Sequence, residues 1–104
     1  MVNRIIWLPV AKRNLNSIYK FISKKSVQAA IKVHNKLLDA AEPLLSFPQM
    51  APIEPLLEDC DKIYRALVVD KYKILYYFEN NTIYIAAVWD CRRNIKRLKK
   101  LFNH

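Results

Sequence analysis

Residues 71–89 read KYKILYYFENNTIYIAAVW, two apolar runs rich in isoleucine, valine and tyrosine on either side of Asn80-Asn81. β-Branched and aromatic side chains suit a pleated, half-buried surface. Asparagine tolerates positive φ better than other non-glycine residues, as a two-residue hairpin loop requires. The stretch therefore predicts two antiparallel strands, 71–79 and 82–89, and residues 62–69 have the composition of a third, giving a meander. Within 71–79, Tyr72, Ile74, Tyr76 and Phe78 share one face, while Lys73, Leu75, Tyr77 and Glu79 share the other. One face is expected to meet helices and the other to stay partly open.

Upstream the period changes. Residues 2–8 are short, β-branched and aromatic, which suits a strand, and Pro9 is placed to open a helix because its missing N–H would be unpaired there anyway. Ala11, Leu15, Ile18 and Ile22 recur at helical spacing up to about residue 25. Ser26 is positioned to cap a second helix whose apolar stripe runs Val27, Ala30, Ile31, Leu37, Leu38, Ala41 and Leu45, with Pro43 ending or kinking its last turn. Residues 46–55 carry Pro48, Pro52 and Pro55 and read as the connection to the strands. Beyond Asp90, residues 92–102 read as a short basic helix with Ile95, Leu98 and Phe102 as its apolar contacts. The fold class is α+β: an N-terminal strand, a two-helix hairpin packed on an antiparallel sheet of three to four strands, and a short basic C-terminal helix.

Charge is segregated along the chain. Of 18 lysines and arginines against nine acids, eight fall in the first 38 residues without a single acid, and six in the last fourteen. Residues 39–61 reverse the sign with six acids and no lysine or arginine. A fold that brings the two basic ends together would create a field attractive to nucleic acid or to an acidic protein. The 104 residues, 53% apolar, fit one domain spanning 1–104. The apolar run at 5–8 is too short for a signal peptide or a membrane span. Two cysteines without paired spacing and two isolated histidines support neither a disulfide framework nor a metal site, and a cytoplasmic protein is expected. Glycine is absent, which excludes the phosphate-cradling loops of Walker and dinucleotide-binding motifs. No cofactor is expected.

Strand, helical hairpin and meander, ending in Val88-Trp89-Asp90-Cys91-Arg92-Arg93-Asn94, resemble the RelE/ParE superfamily of type II toxin–antitoxin toxins. The residues carrying the resemblance are Trp7-Leu8-Pro9-Val10-Ala11, the Leu15 to Ile22 stripe, Tyr64-Arg65, Tyr72-Lys73-Ile74-Leu75-Tyr76 and Arg92-Arg93, and they cover nearly the whole chain. The resemblance implies a small cytoplasmic toxin neutralised by a cognate antitoxin. It also implies one of two targets: DNA gyrase, inhibited without active-site chemistry as by ParE-like members, or ribosome-bound mRNA, cleaved as by RelE-like members.

Cleavage through 2′-hydroxyl attack needs a proton acceptor, cations for the transition-state charge and a proton donor. Arg65, Lys73 and Arg92 are the candidate catalytic cations, with Lys73 as base if two arginines crowd it and lower its pKa. Family ribonucleases often place a histidine near the end of the last strand. Asp90 stands there in this chain, and its charge would repel a phosphate, which tilts the reading towards the gyrase mode. Arg65, Lys73, Tyr77, Arg92, Arg93, Lys96 and Arg97 are the candidates for a target- or antitoxin-binding surface. Each also has a plain reading: Arg65 and Lys73 as solvent-facing strand residues, Arg92 as the ion-pair partner of Asp90, Asp90 as a cap for the following residues, and most tyrosines as core. A non-toxic nucleic-acid-binding module using the charged ends alone is the third alternative.

Overall fold

The computed structural model describes residues 3–93 together with 97, 100 and 102. Strand β1 (Arg4–Trp7) leads through Leu8 into helix α1 (Pro9–Ser23), with Pro9 in the first turn as its geometry favours. Helix α2 (Val27–Ala41) begins at Ser26, whose Oγ accepts the Ala29 N–H at 3.1 Å. Pro43 ends it: the chain tightens into a 3₁₀ turn, Glu42–Leu45, because proline has no N–H to continue the α ladder. A second 3₁₀ turn, Pro55–Leu57, precedes β2 (Arg65–Val69), β3 (Tyr72–Glu79) and β4 (Thr82–Asp90).

The sheet order is β1-β4-β3-β2. The meander β2-β3-β4 is antiparallel as expected, and β1 joins β4 in parallel, so the four-stranded sheet is mixed. The helical hairpin is the crossover that a parallel neighbour requires. Asn80 and Asn81 both have positive φ (52° and 60°), as the two-residue turn demanded. Asp70, at φ 55°, makes the other tight turn and fixes the β2-β3 register at Val69↔Tyr72.

One sheet face packs on the helices. Tyr72, Ile74, Tyr76, Ile83, Ile85 and Val88 meet Ala11, Leu15, Leu37, Ala41 and Leu44 in the main core. A β-bulge opposite Leu75/Tyr76 inserts Ala86, which is why Val88 rather than Ala87 continues the core face of β4. Just past the bulge, the Val88 N–H donates to Asn14 Oδ1 of α1 at 3.0 Å. Two members of the expected α2 stripe, Val27 and Ile31, are exposed instead of buried.

The other face departs from expectation. Leu57 packs over Ala66, Leu75, Ala87 and Trp89 to form a second small core, flanked by Val10, Cys60, Tyr64 and Phe102. The chain itself therefore covers most of the face expected to be open, because residues 55–64 fold back over it and bury apolar side chains that would otherwise meet water. The expected helix at 92–102, Lys96 included, lies largely outside the described residues.

Candidate functional site

Lys73 points from β3 to the covered face and does not stand free. Its Nζ lies 2.7 Å from Glu54 Oε1, and Glu54 is only 2% exposed against 24% for Lys73. Glu54 Oε2 also accepts the Leu56 N–H at 3.3 Å, capping the second 3₁₀ turn. Removing one partner of such a pair leaves a buried charge uncompensated, at a cost of about 3–5 kcal/mol. Lys73 thus clips the proline-rich connection onto the sheet.

Arg65 lies on the opposite face. Its Cα partner is Tyr76, a helix-side residue, whereas Lys73 pairs with Val68, three positions along β2. Arg65 Nη1 donates to Ala51 O at 2.7 Å and Gln49 O at 3.4 Å, and the Tyr76 hydroxyl donates to Pro48 O at 2.9 Å. Burial, only partly offset by a hydrogen bond with the Ala51 backbone and by Arg65, raises the Tyr76 pKa. The Ala66 N–H to Pro52 O and Glu54 N–H to Tyr64 O bonds complete the lacing of residues 48–54 along β2.

Arg92 is held by Asp90. Its Nε and Nη2 donate to Oδ1 at 3.0 Å and Oδ2 at 2.7 Å, and its backbone N–H donates to Oδ1 at 2.9 Å. The side-chain hydrogen bond from Arg92 is the main cause of an Asp90 pKa below the usual carboxylate range, with partial burial opposing it. Both plain readings thus hold at Asp90: it pairs with Arg92 and caps the turn after β4. Asp90, Arg92 and Arg93 rim a cleft of about 270 Å³ whose other lining includes Ile18, Phe21 and Tyr72. The Arg93 guanidinium sits 5.4 Å from the Trp89 ring centroid. The Trp89 indole N–H is buried without an acceptor among the described residues.

The expected convergence of cations is therefore corrected. Arg65 and Lys73 occupy opposite faces because antiparallel register puts residues three apart on opposite sides. Arg92 neighbours Tyr72 on the helix side. No lysine crowded by two arginines exists at Lys73; its close neighbour is a carboxylate. Arg97 is exposed. Among the described residues no group of three or more His, Cys, Asp or Glu is arranged to hold a metal ion, and no helix is long and apolar enough to cross a membrane.

A sequence model described as the ParE toxin of the type II toxin–antitoxin system parDE matches residues 5–95. The chain belongs to the ParE toxin family. Among solved structures it is similar to one titled as a chromosomal ParDE toxin–antitoxin system from P. aeruginosa, with a TM-score of 0.68 and 17% identity over 85% of this chain and 94% of that one. At that identity the likeness speaks for the fold. No curated protein sequence matches the chain.

The ParE-family chain also carries an aromatic cluster at the hairpin end of the second face. Tyr77 and Tyr84 are cross-strand partners stacked at 5.0 Å, which settles that Tyr84 shares the face of Lys73. Tyr64 meets Tyr77 edge-on at 5.6 Å and Phe102 at 4.8 Å. Lys62 Nζ lies 5.3 Å from the Tyr77 ring centroid while bonding Glu79 Oε2 at 2.6 Å. Burial, helped by Asp61, Tyr77 and Cys60, pushes the Tyr64 pKa up to about 12. Tyr77, expected to face a ligand, is thus engaged by Tyr64, Tyr84 and Lys62.

Proposed function

We propose that this ParE-family toxin acts on DNA gyrase by binding alone, in the cytoplasm, and that its cognate antitoxin neutralises it by covering the basic helical hairpin. The observation that carries the reading is the engagement of the three cations a ribonuclease would need. Arg65 donates to loop carbonyls, Lys73 pairs with a buried glutamate, and Arg92 is chelated by Asp90. Split between two faces, they do not surround one phosphate, and a preorganised cluster of donors is what phosphoryl chemistry relies on. The match to the ParE family supports the same side of the superfamily.

The hairpin favours an acidic, apolar partner. It holds seven basic residues and no acid up to residue 38, and it exposes Phe21, Val27 and Ile31. Expression without an antitoxin, followed by primer extension on ribosome-bound messages, tests the proposal. Growth arrest without new message ends at the ribosomal A site is expected. A-site cleavage would favour the endonuclease, and harmless accumulation would leave only a binding module.

A further inference from the structure

We infer that the loop at residues 46–54 is the target-contacting surface, offering Phe47 and Met50 to an apolar pocket rimmed by lysine or arginine on the partner. The inference rests on gyrase being the target and names the part of the toxin that meets it.

Three observations converge on this loop. Phe47 is 65% and Met50 44% exposed, with Ile53 exposed beside them, so large apolar side chains recur every third residue in water. Scattered exposed apolar residues need no explanation, but a grouped set marks an interaction surface. The loop is also fixed from beneath. Tyr76, Arg65 and the Ala66 N–H together engage the carbonyls of Pro48, Gln49, Ala51 and Pro52, and the Lys73–Glu54 pair anchors its end. A loop ordered in the free protein loses little further entropy on binding.

The third observation is charge. Outside residues 39–61 the acids number three, and each has a cation: Asp70 with Lys36, Glu79 with Lys62 and Asp90 with Arg92. Among the described residues, the exposed carboxylates without a salt-bridge partner therefore fall within that segment, as Asp39, Glu42 and Glu58 do. Glu42 opens the 3₁₀ turn that delivers Phe47. The loop's own acid, Glu54, is buried and paired with Lys73, so a cationic rim around the partner's pocket would be attracted by Glu42 at the loop's entry.

The test uses the full-length F47A/M50A protein and the wild type in a supercoiling assay with purified gyrase. Equal thermal midpoints establish that the surface substitutions preserve the fold. The variant is expected to need at least about tenfold more protein for half-inhibition, the scale of losing central apolar anchors. Adding E42K should weaken inhibition further and E42Q less. Equal inhibition by wild type and F47A/M50A overturns the inference while leaving gyrase as the target. No inhibition by the wild type overturns both.

Discussion

Glu54 and Lys73 hold each other at 2.7 Å beneath the loop, with the carboxylate almost wholly removed from water. Lys73→Met leaves that carboxylate buried and unpaired, and urea unfolding should register a loss of about 3 kcal/mol, the lower end for a buried pair because Lys73 keeps some contact with solvent. The double variant Glu54→Gln, Lys73→Met removes both charges and should recover more than half of the loss. Equal destabilisation by the single and double variants would contradict the clip. Arg65 has a similar task on the other face, where its two carbonyl acceptors replace the open surface that sequence alone suggested. That exchange was within reach of the sequence: reading Asp70-Lys71 as a two-residue turn sets Arg65 against Tyr76, on the face opposite to that of Lys73. The contacts of Glu54 had no such signal, since an acid in a proline-rich connection gives no indication of being buried.

Strand composition and turn chemistry located β2, β3 and β4, and helical spacing with the Ser26 cap located both helices. Two features of the elements were not legible. The bulge at Ala86 shifts side-chain parity within β4, and nothing in Ala86-Ala87 distinguishes an inserted residue from a paired one. The parallel docking of β1 against β4 is a tertiary choice with no local signature. The sheet makes its own prediction through its tyrosines. Tyr64, Tyr72, Tyr76 and Tyr77 all have pKa values raised above the ordinary 10.0, with burial the first cause in each. The folded state keeps phenolic protons that the unfolded chain releases from about pH 10, so stability is intact below that pH and falls as pH rises towards 12, where Tyr64 ionises. Absorbance at 295 nm should show several tyrosines ionising late, together with alkaline unfolding, and Tyr64→Phe should flatten the stability loss. A single transition of all tyrosines near pH 10 in the folded protein would contradict the buried cluster.

Across the whole molecule, segregated charge was the most visible property of the sequence, and the structure changes what it means. Arg65, Lys73 and Arg92 are distributed over both faces and tied to internal partners, so these three do not assemble a phosphate site. What remains is a molecule with a basic helical hairpin on one part of its surface and an exposed apolar loop, entered through the unpaired Glu42, on another, an arrangement suited to binding two partners. The most direct measurement is conversion of relaxed plasmid to the supercoiled form by purified gyrase, with this protein added in increasing amounts. Loss of supercoiling as the protein is added is the predicted result. Full supercoiling under excess of a protein that still arrests growth would contradict it.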